Sequence, residues 1–105
     1  MSDPTKIRAT VKGSDGEVRI LIPHVMESGQ RRDPSGQLLP AQYITSVILS
    51  LNGRPVIESA LGTAVSTNPL FAFQLLGVKA GDKVSVAWTD NKGQKGGAEA
   101  SFSAA

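Results

Sequence analysis

Apolar and polar residues alternate with a period of two along almost the whole chain, and this constrains the fold more than any other feature. In Lys6-Ile7-Arg8-Ala9-Thr10-Val11-Lys12 every second residue is apolar. Successive side chains of an extended strand point to opposite faces, so this segment buries Ile7, Ala9 and Val11 and leaves the rest wet. Gly13-Ser14-Asp15-Gly16 supplies turn residues, and a return strand over about 17–23 sets Val18, Ile20 and Ile22 on one side. The same reading predicts strands over 43–51, 55–61, 70–76, 83–90 and 97–103. They are separated by Asn52-Gly53, the connection 62–69, Ala80-Gly81-Asp82 and Asp90-Asn91-Lys92-Gly93. No segment carries a sustained helical period, and at most a short helical turn is expected, within 25–42.

Seven strands on 105 residues predict one all-β domain over the full length, a seven-stranded immunoglobulin-like β-sandwich. A small closed barrel is the competing architecture. The connections 25–42 and 62–69 are long enough to cross between sheets, which favours the sandwich. The expected core is Ile7, Val11, Val18, Ile20, Val47, Leu49, Phe71, Phe73, Val84, Val86, Trp88 and Phe102. A buried Trp88 needs an acceptor for its indole N–H. The strand over 43–51 differs from the others in being apolar on both faces: Tyr43, Val47, Leu49 and Leu51 lie one way, Ile44 and Ile48 the other. A small sandwich covers one face of each sheet, so the face with Ile44 and Ile48 is expected to lie under a loop or a partner subunit. In the chain alone, that surface is expected to self-associate.

The inventory of side chains argues against catalysis. Cys is absent, so the chain offers no disulfide, thiolate ligand or cysteine nucleophile. A lone histidine, His24, cannot build a metal centre of the kind some β-sandwiches hold, and no Gly-x-Ser-x-Gly elbow accompanies it. His24 reads as a strand-end residue bonded to loop backbone. Gly93-Gln94-Lys95-Gly96-Gly97 does not fit a phosphate loop and reads as a flexible hairpin tip; Asp90-Asn91-Lys92-Gly93 is too short for a calcium loop. No catalytic residue, cofactor site or metal site is expected. The net charge of +2, with Lys and Arg scattered, does not suit a nucleic-acid binder. No apolar run approaches the length needed to insert in a membrane. Met1 to Lys6 lacks the pattern of a secretory signal, which by itself predicts a cytoplasmic protein.

The irregular stretch 25–42 is harder to dismiss, because long loops without secondary structure in compact domains are commonly functional. Glu27, Arg31, Arg32 and Asp33 form either a solvated ion-pair cluster, which contributes little to stability, or a docking surface. At this point the chain resembles a known family. His24-Val25-Met26-Glu27-Ser28-Gly29-Gln30-Arg31-Arg32-Asp33 is similar to the H-P-M-E-T-G-x-R-K-D motif of the SoxZ family. Leu51-Asn52-Gly53-Arg54, Ala64-Val65-Ser66-Thr67-Asn68-Pro69, Ala80-Gly81-Asp82-Lys83-Val84 and Trp88-Thr89-Asp90-Asn91-Lys92-Gly93 match further family motifs in order. The chain departs from the pattern at Val25, where Pro is usual, and at Leu70, where an aromatic often follows Asn-Pro.

The resemblance implies an immunoglobulin-like sandwich that pairs with SoxY to form the carrier of covalently bound sulfur intermediates in thiosulfate oxidation. SoxY bears the carrying cysteine on a flexible arm, and this cysteine-free chain would be the non-catalytic partner. It would meet the other Sox enzymes transiently and reach the periplasm by co-export with SoxY, against the reading of the N-terminus alone. On this resemblance, His24, Met26, Glu27, Gly29, Arg31, Arg32 and Asp33 form the candidate docking loop, and Arg31 and Arg32 are candidates to grip an anionic cargo. The competing function is a stand-alone β-sandwich that binds a ligand in a concave pocket.

Overall fold

The computed structural model describes residues 5–62 and 68–104. Eight strands are present, and no described residue is helical: β1 (Lys6–Lys12), β2 (Asp15–Leu21), β3 (Ile44–Leu51), β4 (Arg54–Ala60), β5 (Leu70–Leu76), β6 (Lys83–Asp90), β7 (Lys95–Ser101) and β8 (Ser103–Ala104). They form two four-stranded sheets, ordered β5-β2-β1-β8 and β4-β3-β6-β7. The architecture is the immunoglobulin-like sandwich that the alternation predicts. The match residues Ala64 to Thr67 and the N-terminal Met1 to Pro4 lie outside the described residues.

The alternation translates directly into the layers. In β2 the residues Gly16, Val18 and Ile20 are buried while Glu17 and Arg19 are exposed. Val18, Ile20 and Ile22 of the first sheet pack with Val47, Leu49, Val84, Val86 and Trp88 of the second in one hydrophobic core. Burial of side chains of this size is worth roughly 1.5–3 kcal/mol each. The core differs from expectation at its margins. Ala9, Ile22, Met26, Ile44, Leu75 and Val78 are also buried, whereas Ile7, Phe71 and Phe73 are only partly covered. The rings of Phe71 and Phe73 are near-parallel, their centroids 6.3 Å apart. The Trp88 indole N–H donates to the Thr5 hydroxyl at 2.9 Å. At Asn52-Gly53 both residues have positive φ, 50° and 86°, the geometry that a two-residue hairpin turn between twisted strands requires.

Four sequence expectations need correction. Ile44 does not face outward with Ile48. It is fully buried in the chain's own core, because β3 carries a bulge against β6: Ile44 pairs with Asp90 and Ser46 with Thr89, so Thr45 is an extra residue. The inserted residue flips the face of everything before it. Ile48 alone remains half-exposed on the outer face, between Glu58 of β4 and Ala87 of β6. Gly16 belongs to β2 rather than to the turn, for a Cβ there would lie 2.5 Å from both Phe102 and Val78. Gly96, read as part of the hairpin tip, lies within β7 beside Gly97, so the strand starts earlier than position 97. Gly96 pairs with Trp88, and its missing side chain makes room for the indole. Finally, the last strand is two. The chain leaves the second sheet after Ser101, buries Phe102 and joins the first sheet as β8, parallel to β1.

The Gly96–Trp88 contact yields a prediction. A Cβ on Gly96 would stand 2.6 Å from the indole ring. Gly96→Ala should destabilise the fold by roughly 1–3 kcal/mol through overpacking. Gly62→Ala, at a position with open space around it, should change stability by less than about 0.5 kcal/mol. Urea denaturation of both variants checks this; equal effects would mean that the indole does not require a glycine opposite it.

Candidate functional site

The 25–42 stretch is not an unstructured loop. Backbone bonds pair Glu27 with Gln42 and tie the Leu39 N–H to the Arg31 carbonyl at 2.8 Å and the Asp33 N–H to the Gln37 carbonyl at 2.8 Å. The stretch is therefore a narrow two-stranded arm whose tip turns at Asp33-Pro34-Ser35-Gly36-Gln37. Asp33 holds that tip. Its carboxylate accepts the Ser35 hydroxyl at 2.6 Å and the Ser35 and Gln37 N–H groups at 2.9 and 3.0 Å. These bonds, the Ser35 hydroxyl foremost, hold the Asp33 carboxyl below its ordinary value.

The arm is fastened at its root by a buried side-chain pair. His24 Nε2 lies 3.0 Å from Asp90 Oδ2, and the two side chains are only 3% and 0% exposed. His24 Nδ1 accepts the Met26 N–H at 3.0 Å. That acceptor role leaves the ring proton on Nε2, which donates to the carboxylate. The Trp88 ring packs edge-on against the imidazole, centroids 5.5 Å apart. Asn68 brackets the His24 backbone, its side-chain oxygen accepting the His24 N–H and its own N–H donating to the His24 carbonyl, both at 2.9 Å. Met26 sits in the left-handed region at φ 49°, and its sulfur accepts the Ile44 N–H at 3.4 Å.

The 90–93 turn secures the other root of the arm. Asn91 accepts the Tyr43 N–H at 2.8 Å and donates to the Ala41 carbonyl at 3.0 Å; Gln42 reaches Asp90 at 3.4 Å. Asp90 also accepts the Lys92 and Gln94 N–H groups, at 3.0 and 2.8 Å. Burial pushes the Asp90 carboxyl up, but the bonds from His24, Gln94, Gln42 and Lys92 outweigh it and hold the group below its ordinary value. A single carboxylate thus ties the segment that follows β2 of one sheet to the end of β6 in the other, and fixes where the arm leaves the sandwich.

The candidate docking residues therefore separate into two sets. His24 and Met26 are buried within the chain, where they anchor the arm from within rather than lie on its surface. Gly29, at φ 85°, lies close against Ala41 in the facing half of the arm. Glu27 and Arg31 bind each other through three bonds of 3.1, 2.9 and 2.7 Å. The Arg31 hydrogen bond in particular lowers the Glu27 carboxyl. The Arg31 guanidinium is thereby engaged along the arm. Arg32 is exposed, and among the described residues its guanidinium bonds the Gly36 carbonyl, at 2.7 Å. Sequence reasoning missed Asp90, Asn91, Asn68 and Gln42. Each is an ordinary turn or loop residue by type, and Asp90 stands 66 residues from His24, so no local spacing could join them.

Two facing sheets, no described helix and an arm clasped by a buried imidazole–carboxylate pair define an immunoglobulin-like β-sandwich with a projecting ribbon. The model of the family described as "Sulphur oxidation protein SoxZ" matches residues 5–101, and the chain belongs to this family of sulfur-oxidation proteins. No curated protein matches the chain significantly. Among solved structures, the hypothetical protein PH1083 from Pyrococcus horikoshii OT3 aligns over 97% of this chain and 89% of its own, with a TM-score of 0.64 and 15% identity. That likeness concerns the fold alone.

The clasp gives a pH prediction. A carboxyl depressed in the folded state stabilises above its unfolded value and loses that contribution as pH falls through the folded one. Stability should therefore decline below about pH 4. Asp90→Asn offers one acceptor oxygen for two, and its amide must face either the His24 N–H or the Lys92 and Gln94 N–H groups. It should cost roughly 1–3 kcal/mol at neutral pH and flatten the acid decline. Thermal melts across this range check both; a variant as stable and as acid-sensitive as the wild type contradicts the clasp.

Proposed function

We propose that the chain is the non-catalytic subunit of a two-chain sulfur carrier, pairing with SoxY and helping to present its covalently bound sulfur intermediates to the Sox enzymes. The observation that carries this reading is the SoxZ family match over 5–101, nearly the whole chain. The use of its ionisable residues supports it. The histidine and its carboxylate are sealed inside the sandwich, each with its hydrogen bonds spent on structure. Neither can abstract a proton from a substrate that never reaches it. The rigid arm, with Glu27, Arg31, Arg32 and Asp33 on its surface, is the part suited to meeting an enzyme. Of its two arginines, Arg32 is the better placed for an anionic cargo, since Arg31 would first have to release Glu27. The periplasm is the compartment of this function, with export alongside SoxY.

Co-expression with SoxY should give a stable heterodimer by size exclusion, found in the periplasmic fraction only when SoxY is present. The isolated chain should neither oxidise thiosulfate nor retain a metal ion. Turnover by the isolated chain, or failure to recover any complex with SoxY, would overturn the reading.

A further inference from the structure

Each sheet ends in strands whose outer backbone groups have no partner within the sheet, and proteins normally protect such edges with charge, proline, bulges or short length. Three of the four edges here are protected. β4 carries Pro55, Glu58 and a bulge that leaves Val56 unpaired in the register with β3. β7 carries Lys95, Glu99 and two glycines, and β8 is two residues long. β5 has none of these devices. Its sequence Leu-Phe-Ala-Phe-Gln-Leu-Leu holds no charge and no proline, and all seven residues pair with β2 without a break. Among the described residues no strand pairs with its other edge. Leu70 and Leu76, at its two ends, are 67% and 77% exposed, and Phe71 and Phe73 on its inner side are only partly covered.

The face beside this edge fixes the occupant. Lys6, Arg8 and Lys12 on β1 and Arg19 on β2 lie on the outer surface of the sheet with Asp15 and Glu17. That is four cations against two carboxylates, and the chain's other seven basic and seven acidic residues balance, so this face holds the whole surplus of +2. Arg8 stands directly opposite Arg19 in the register, a like-charge pairing that disfavours the sheet unless an anion meets it. Glu17 binds Arg19 at 2.6 Å, whereas the Arg8 side chain has no ion pair or hydrogen bond among the described residues. Arg19 pairs across to the small Ala72 of β5, which leaves its side chain an open path toward the free edge. A second copy of this chain, added antiparallel through β5, would extend the sheet with another face of the same positive surplus and bring no excess of carboxylates to Arg8 or Arg19. Charge therefore disfavours a second copy and favours an acidic partner.

We propose that β5 is the docking edge of this chain, extended by an antiparallel strand of the cysteine-bearing partner subunit. Apolar residues of that strand sit beside Phe71, Phe73 and Leu75, and its outward carboxylates lie on the side of Arg19, with Arg8 one strand further in. The proposal rests on the carrier reading above and names the surface through which the pair forms. It is tested with Leu70→Lys/Leu76→Lys, Arg8→Glu/Arg19→Glu and, on the protected edge, Val56→Lys, each a substitution at an exposed position checked for intact fold by circular dichroism. Affinity for the purified partner subunit is measured by titration calorimetry. Both double variants should bind at least about tenfold more weakly, Val56→Lys should bind as the wild type does, and wild-type binding should weaken with added salt. Undiminished binding by the Leu70/Leu76 variant overturns the assignment of the edge. A wild-type homodimer that this variant dissociates overturns the assignment of the occupant. A wild type that binds no partner subunit overturns the carrier reading itself, a result distinct from either.

Discussion

The Asp90 carboxylate is where the two sheets, the arm and the turn after β6 meet. It receives four hydrogen bonds, from the His24 ring, the Gln42 amide and the Lys92 and Gln94 backbone, in a position closed to solvent. A buried carboxylate without such partners would be strongly unfavourable, and each donor that reaches it offsets part of the cost of removing it from water. The donors come from three different segments, so satisfying this one charge obliges those segments to converge. His24 is equally constrained: with one ring nitrogen bound to the Met26 N–H and the other to the carboxylate, it has a single tautomer and a single orientation. A rigid projecting arm follows from these requirements.

The same economy leaves the polar residues nearest the core occupied with structure. Catalytic groups need access and a reaction partner; here every reachable lone pair and proton at the His24–Asp90 pair is already used. What the chain presents to its surroundings is shape and charge: an arm stiffened by the Glu27–Arg31 pair and the Asp33 tip, and a sheet face with excess arginine and lysine beside a bare apolar strand. The family to which the chain belongs is one of sulfur-oxidation proteins.

Most of the layered fold was legible in the residues because a period of two dictates which side chains share a face. Lys6 to Leu21 folds as its alternation requires, and Asn52-Gly53 turns with the two positive φ values that its residue types favour. The errors share one physical origin, in that tertiary packing overrode a local signal. A single bulge residue at Thr45 moved Ile44 into the core. Gly16 and Gly96, turn residues by local preference, are strand residues because Phe102, Val78 and Trp88 need their missing side chains. The candidate site was legible as a region but not as a mechanism. The motif around His24 to Asp33 located the arm, while the Asp90 and Asn68 contacts that position it depend on partners 66 and 44 residues away.

The central claim is that this chain supports sulfur chemistry without bearing the sulfur. Intact-mass spectrometry of the assembled two-subunit carrier, taken during thiosulfate turnover in the reconstituted system, tests it most directly. The account predicts that the cysteine-bearing subunit gains sulfur-containing mass while this chain keeps its unmodified mass of 11.0 kDa throughout. A sulfur adduct on this chain would contradict it.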